Sequence, residues 1–255
     1  MYEMFKTLLF DLDNTLLEIN ENEFLDEYAR YASQYFLDLM TPERFKEKLI
    51  ESTGVMMRNN GNVDNVTAFT LHFIKDLPGI SAEEVTARFT RFYIEKFDEI
   101  KRITRPIKKA KQVILRAVEI GYEIVIATNP VFPTIALEKR IKWAGLDDIP
   151  IMHITSGNEY HFCKPRKEYF VEILEKIKRT ANDCLMIGND FINDMAASLA
   201  GITTFWLNNI TNKDEIRSTP KKGLKKLIDL EKIVINYKGN FDDLMNIIEQ
   251  NAKYI

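Results

Sequence analysis

The sequence predicts an α/β protein, with a parallel sheet layered between helices and an all-α segment inserted near its start. Three observations carry this expectation. Short apolar runs, too brief for helices, recur at residues 8–10, 122–127, 149–154, 184–188 and 203–207. From Pro106 onward these runs alternate with helical patterns, the rhythm of parallel strands joined by crossovers. Between residues 18 and 104 no such run occurs, and apolar residues recur only at three- and four-residue steps.

In chain order, residues 8–10 form the first strand, which ends at Asp11 and Asp13 in a tight Asn14-Thr15 turn. Phe24, Tyr28, Tyr31, Ala32, Tyr35 and Leu39 then mark one amphipathic helix. Thr41-Pro42 opens a second, with Thr as N-cap and Pro in the first turn, and Gly54 is expected to break it. A loop over residues 54–62 follows, and then a helix carrying Val66, Phe69, Leu71, Phe73 and Ile74. Ser81-Ala82-Glu83-Glu84 reads as a capping box for the fourth helix, with Val85, Phe89, Phe92, Tyr93 and Phe97 on its apolar face. The expected division is a core of residues 1–17 and 105–255 with a four-helix insert over 18–104. Beyond it, a helix over 107–120 stops at Gly121, and further helices precede Gly145, follow Lys164-Pro165 and span 195–200. Residues 233–235 are expected to add an edge strand. Leu224, Leu227, Ile228 and the stretch 242–250 are expected to be peripheral helical cover.

Composition narrows the partners. Lys plus Arg number 35 against 38 Asp plus Glu, a net charge of −3 without long blocks of one sign. No electrostatic footprint for nucleic acid follows from that balance. No apolar run is long enough for a membrane span. The chain enters its first strand without a signal-like segment, so a cytoplasmic location is expected. Cys163 and Cys184 lack metal-type spacing and read as buried thiols.

In open parallel sheets, ligands and chemistry gather where the strands end. Here those ends carry Asp11 and Asp13, Thr128 and Asn129, and Asp190 and Asp194, with Lys164 ahead of a nearby helix. The inventory suits phosphoryl transfer. One carboxylate attacks phosphorus, and a second, protonated, donates to the leaving oxygen. Further carboxylates hold Mg²⁺ through oxygen, while a hydroxyl, an amide and an ammonium neutralise the phosphoryl group.

These residues fall into an ordered set. Phe10-Asp11-Leu12-Asp13-Asn14-Thr15, Thr128-Asn129, Lys164-Pro165 and Gly188-Asn189-Asp190-x-x-Asn193-Asp194 resemble, in order, the four motifs of the haloacid dehalogenase (HAD) superfamily. The helical insert stands where that family carries its C1 cap. The resemblance implies a Rossmann-like three-layer core and an enzyme acting on a small phosphorylated metabolite. It implies that Asp11 is the nucleophile and a Mg²⁺ ligand. Asp13 would be acid and then base, with its carbonyl on the metal. Thr128 and Asn129 would bind the phosphoryl group, and Lys164 would pair with it and with Asp11. Asp190 would ligate Mg²⁺ directly, Asp194 would hold the metal either directly or through a ligand beside it, and Asn193 is a weaker candidate. Asn189 departs from the commoner pattern, without expected consequence.

Within the family, members that expel halide lack an acid two residues after the nucleophile. Asp13 therefore favours phosphate esters, and phosphatase over phosphomutase activity is the commoner expectation. A signalling receiver domain uses similar residue types, but its phosphorylated Asp would end a middle strand, and none ends the run at 151–154. A non-catalytic binding protein on this fold would not need every acid. His153 reads as strand packing, and His161 as a neighbour of Lys164. Arg58, in the loop expected to reach over the phosphate site, is the candidate contact to the remote part of a substrate.

Overall fold

Of the 255 residues, the computed structural model describes 5–208 and 230–252. The expected helical positions Leu224, Leu227 and Ile228 lie outside them. Six parallel strands form the central sheet: β1 (Thr7–Phe10), β4 (Glu123–Ile126), β5 (Ile151–Ile154), β6 (Cys184–Gly188), β7 (Thr203–Leu207) and β8 (Tyr237–Gly239). Their order is β5-β4-β1-β6-β7-β8, so β1 lies between β4 and β6. Phe10 pairs with Ile126 on one side and Ile187 on the other, which sets three strand ends level.

Alternation along these strands builds two cores. Leu8, Phe10, Ile124, Ile126, Leu185 and Ile187 face one, while Leu9, Val125 and Met186 face the other. Successive side chains of a strand point to opposite faces, so a strand covered on both sides reads as an unbroken apolar run. The first face is covered by α5 (Lys108–Glu119), α6 (Thr134–Trp143) and α8 (Phe241–Asn251). The second is covered by α7 (Lys167–Ile177) and a 3₁₀ segment over Met195–Ala200. The fold is the expected Rossmann-like α/β architecture.

The chain leaves the core through β2 (Leu17–Glu18) and returns through β3 (Arg105–Pro106), which pair antiparallel as a two-strand ribbon. Between them lie α1 (Glu21–Ala32), α2 (Pro42–Met57), α3 (Asn65–Ile74) and α4 (Ala82–Glu95), a four-helix cap packed around Phe36, Phe45, Phe73 and Phe89. No described helix is long and apolar enough to cross a membrane. Cys163 and Cys184 are free and buried.

Four local expectations need correction. The first helix ends at Ala32 rather than running to Leu39, because the chain turns through a 3₁₀ segment that buries Phe36 and exposes Leu37. Gly54 does not break α2, which continues through Met57. An interior glycine costs about 1 kcal/mol, and burial of Met56 in line with Leu49 and Ser52 offsets it. Only half of the capping box over residues 81–84 forms: Ser81 Oγ accepts from Glu84 N at 3.2 Å, while the Glu84 carboxylate turns to Arg88. The edge strand is β8, not residues 233–235. The Thr204 N–H donates to the Asn236 side chain at 3.1 Å and Thr204 Oγ1 to the Val234 carbonyl at 2.9 Å, so ladder pairing begins only at Tyr237.

Candidate active site

Asp11 is the first residue past β1, its N–H donating to Ile187 O of β6 at 2.9 Å. Beyond it the chain turns sharply. The Leu12 carbonyl accepts from Leu16 N at 2.8 Å and Leu17 N at 2.9 Å, and Asn14 sits in the left-handed region at φ 57°. This turn brings Asp13 back over the rim.

Lys164 reaches the same rim from the other side of β1. Its ammonium donates to Asp11 Oδ1 at 2.7 Å and to Asp194 Oδ1 at 2.6 Å. Both Lys164 and Asp194 are fully buried. Burial alone disfavours a lysine's charge, but the two adjacent carboxylates outweigh it and hold the ammonium well above its ordinary range. Burial, and then the Asp11 charge, push the Asp194 carboxyl upward against the pull of Lys164. Burial also pushes Asp13 up to about 6, opposed by the Arg140 guanidinium that bonds it.

β4 supplies Thr128 and Asn129. The Thr128 carbonyl accepts from Thr155 Oγ1 at 2.6 Å and Tyr169 OH at 2.7 Å, which fixes the backbone there. No described residue hydrogen-bonds the Thr128 hydroxyl. Asn129 Oδ1 accepts from Lys164 N at 3.2 Å, tying this strand end to the lysine loop.

The loop after β6 carries the last acids. Asp194 Oδ2 accepts from Asp190 N at 2.9 Å, so both Asp194 oxygens are engaged by protein donors. Asp190 is exposed and caps its own turn, accepting from Ile192 N at 2.8 Å and Asn193 N at 2.9 Å.

A model of the haloacid dehalogenase-like hydrolase family matches residues 5–201. The chain belongs to that family. It is 26% identical over 239 residues to the HAD-hydrolase YfnB of Bacillus subtilis, covering 90% of this chain and 95% of YfnB. The crystal structure of YfnB bound to magnesium superposes with a TM-score of 0.54 at 21% identity, over 96% of this chain and 98% of that one. A HAD phosphatase from Thermococcus onnurineus gives 0.55 at 18% identity, over 95% and 97%. A dehalogenase captured with an intermediate gives 0.55 at 12% identity, over 97% and 98%. Likeness at these identities establishes the shared fold and does not divide phosphatase from dehalogenase.

As a HAD-like hydrolase, the chain assembles Asp11, Lys164 and Asp194 as one ion cluster, with Asn129 bonded to the lysine backbone. Asp190 joins through its backbone, and Asp13 is held by Arg140. Among the described residues no three acidic, histidine or cysteine side chains form a ready-made metal cluster. The donor chemistry nevertheless suits Mg²⁺. All candidates are hard oxygens, and Mg²⁺ characteristically takes one or two carboxylates and fills the rest with water and phosphate.

Arg58 is not brought to this cluster. It caps α2, is exposed, and its guanidinium lies 3.4 Å from where a Cβ on Gly54 would stand, folded back along its own helix. The cap instead meets the rim through Asn59 and Asn65. Asn65 Nδ2 donates to Pro130 O at 3.2 Å, and Arg166 Nη1 donates to Asn59 O at 2.6 Å.

Sequence reasoning missed two parts. Asn189, set aside as inconsequential, accepts from Thr15 Oγ1 at 3.0 Å, and its carbonyl accepts from Trp206 Nε1 at 2.9 Å, linking the first and fourth motif loops. Arg140 was not singled out at all. It occupies a position in the buried stripe of α6 with Ala136, Leu137 and Ile141, and a lone cation in such a stripe was the available signal.

Proposed function

We propose that this HAD-like hydrolase is a Mg²⁺-dependent phosphatase of a small phosphorylated metabolite, working through an aspartyl phosphate on Asp11. The observation that carries the reading is the Lys164 ammonium held between Asp11 and Asp194 at 2.7 and 2.6 Å. Such a buried ion cluster at a strand end fixes a carboxylate for attack and keeps a cation beside the phosphoryl group it would receive. Asp13 separates this reading from halide expulsion, which needs no proton donor.

In the first step an Asp11 oxygen forms a bond to phosphorus while the ester oxygen departs and takes a proton from Asp13. In the second, water attacks phosphorus, Asp13 accepts the water's proton, and the acyl phosphate bond breaks to restore Asp11 and release inorganic phosphate. Lys164, the unpartnered Thr128 hydroxyl and the Asn129 amide would bind the phosphoryl oxygens. Asp194 anchors the loop and the lysine. Asp11, the Asp13 carbonyl and Asp190 would hold Mg²⁺, which supplies charge neutralisation between these acids and a phosphate dianion.

Residues 18–104 are proposed to act as a cap domain that moves on the β2–β3 ribbon against a core of 1–17 and 105–255, closing over a substrate small enough to fit beneath it. The YfnB structure is described as revealing interdomain movement, which supports this. Arg58 would contact a remote part of the substrate only if its loop rearranged on closure. No nucleic-acid or membrane partner is proposed, and the cytoplasm is the proposed location. Turnover of a panel of small phosphomonoesters tests the reading. At least one should release phosphate with Mg²⁺, and chelation should reduce the rate at least about 100-fold, the scale of losing a principal electrostatic stabiliser. Full activity in chelator would contradict it, and transfer to an acceptor hydroxyl instead of water would identify a phosphotransferase.

A further inference from the structure

Arg140 lies on α6, only 1% exposed, with its guanidinium carbon 5.0 Å from the Phe24 ring centroid and 4.9 Å from that of Phe132. Its Nη2 donates to Asp13 Oδ1. Its Nε and Nη1 are buried with no hydrogen-bond partner. Packing does not account for this residue. An apolar side chain of similar length would pack against the two rings without stranding two N–H groups. What an apolar side chain could not do is hold the carboxyl of Asp13.

We infer that Arg140 is a positioning residue that assigns the two oxygens of Asp13 their roles. This rests on the reading of Asp13 as the proton donor. A guanidinium has donors and no acceptor. While it holds Oδ1, that oxygen can only accept, so the transferable proton sits on Oδ2. The Asp13 side chain is 32% exposed, and no described residue hydrogen-bonds Oδ2, which leaves that oxygen for the leaving group. Phe24 on α1 and Phe132 after β4, in edge-to-face contact at 6.1 Å, pack against the guanidinium from cap and core together. Arg140 thus presents one carboxyl oxygen to the leaving group on every turnover, and takes no part in binding the phosphoryl group.

The test compares wild type with Arg140→Met and, should Met fail to fold, Arg140→Lys, which keeps a charge but not the fork. Two esters are used: the best alkyl phosphate of the panel, and p-nitrophenyl phosphate, whose leaving group departs without a proton. Loss of positioning should lower kcat/KM for the alkyl ester about 10- to 100-fold, part of the 10²–10⁴ available to a general acid. The burst of nitrophenolate should change less than about 3-fold. In an Asp13→Ala background the same substitution should add less than about 2-fold, since the two act as a unit. Equal losses on both esters, or full additivity with Asp13→Ala, would overturn the assignment. A crystal structure of the variant supplies an arm independent of activity. Asp13 should leave its present rotamer, and an unmoved Asp13 would overturn the proposal even if no ester is turned over. Wild type inactive toward both esters would instead count against the phosphatase reading, leaving the rotamer to decide the role of Arg140.

Discussion

Gly188 ends β6 where a Cβ would overlap the Asp194 carboxylate. The absence of a side chain there is what lets Asp194 lie against the strand and reach Lys164. Gly188→Ala should push Asp194 away, leaving the buried ammonium with one partner. Overpacking of this kind costs about 1–3 kcal/mol, and we expect a lower urea midpoint together with a kcat reduced at least about 10-fold. Unchanged midpoint and activity would show that Asp194 has room to spare. At this scale the acids were legible because each motif is local in sequence, and strand-end carboxylates need no tertiary information to be noticed. Arg140 was not, since its partner lies 127 residues away and nothing local marks a cation among apolar neighbours as bonded rather than misplaced. Asn189 was undervalued for the same reason, its partner Thr15 being 174 residues distant.

Among the elements, β5 carries a titratable group in its packing. His153 is half-buried, its Nε2 at 2.7 Å from the Tyr160 hydroxyl. Burial holds it below the ordinary histidine value of 6.5; nearby Lys176 adds to this and Glu159 opposes it. In the pH window just below that value the unfolded chain therefore binds a proton more readily than the folded one, so stability falls as pH drops from 6.5 through the depressed folded value. The Tm of wild type should decline more steeply between pH 7.5 and 5.5 than that of His153→Gln. Parallel curves would show that His153 does not contribute to the slope. Helix starts were the readable part of this scale: Thr41 accepts from Arg44 N at 3.3 Å, as its place before Pro42 predicts. Helix ends were less so. Gly54 and the stretch through Leu39 were misjudged because burial of Met56 and Phe36, a tertiary effect, overrode the local signals.

At the scale of the whole molecule, the architecture was legible because alternating apolar runs and helices admit few arrangements, and parallel pairing places the C-terminal ends of the strands on one rim. The spatial order was not, since nothing in the chain states that β1 inserts between β4 and β6. Nor was the contact between cap and core. Besides the Asn59 and Asn65 bonds, it includes α6, where Trp143 Nε1 donates to Asp98 Oδ1 at 2.8 Å and the Trp143 ring lies 4.8 Å from that of Phe97. Phe97, Phe24 and Tyr28 in turn meet Phe132 at 5.9–6.4 Å. One aromatic cluster therefore joins the insert to the loop that follows the Thr128-Asn129 pair, and Arg140 with its hold on Asp13 lies within it.

The proposed function makes Asp11 the nucleophile of a covalent step, and such a step can be caught directly. The protein is mixed with acetyl phosphate and Mg²⁺, quenched in acid within the first turnovers, reduced with borohydride, and its peptides are weighed. An acyl phosphate is reduced to the alcohol, so a phosphorylated Asp is converted to homoserine at the labelled position. The account predicts this change at Asp11 alone, and its disappearance in Asp11→Asn or without the metal. Conversion at Asp13 or elsewhere, or steady phosphate release from a chain that never carries the mark, would contradict it.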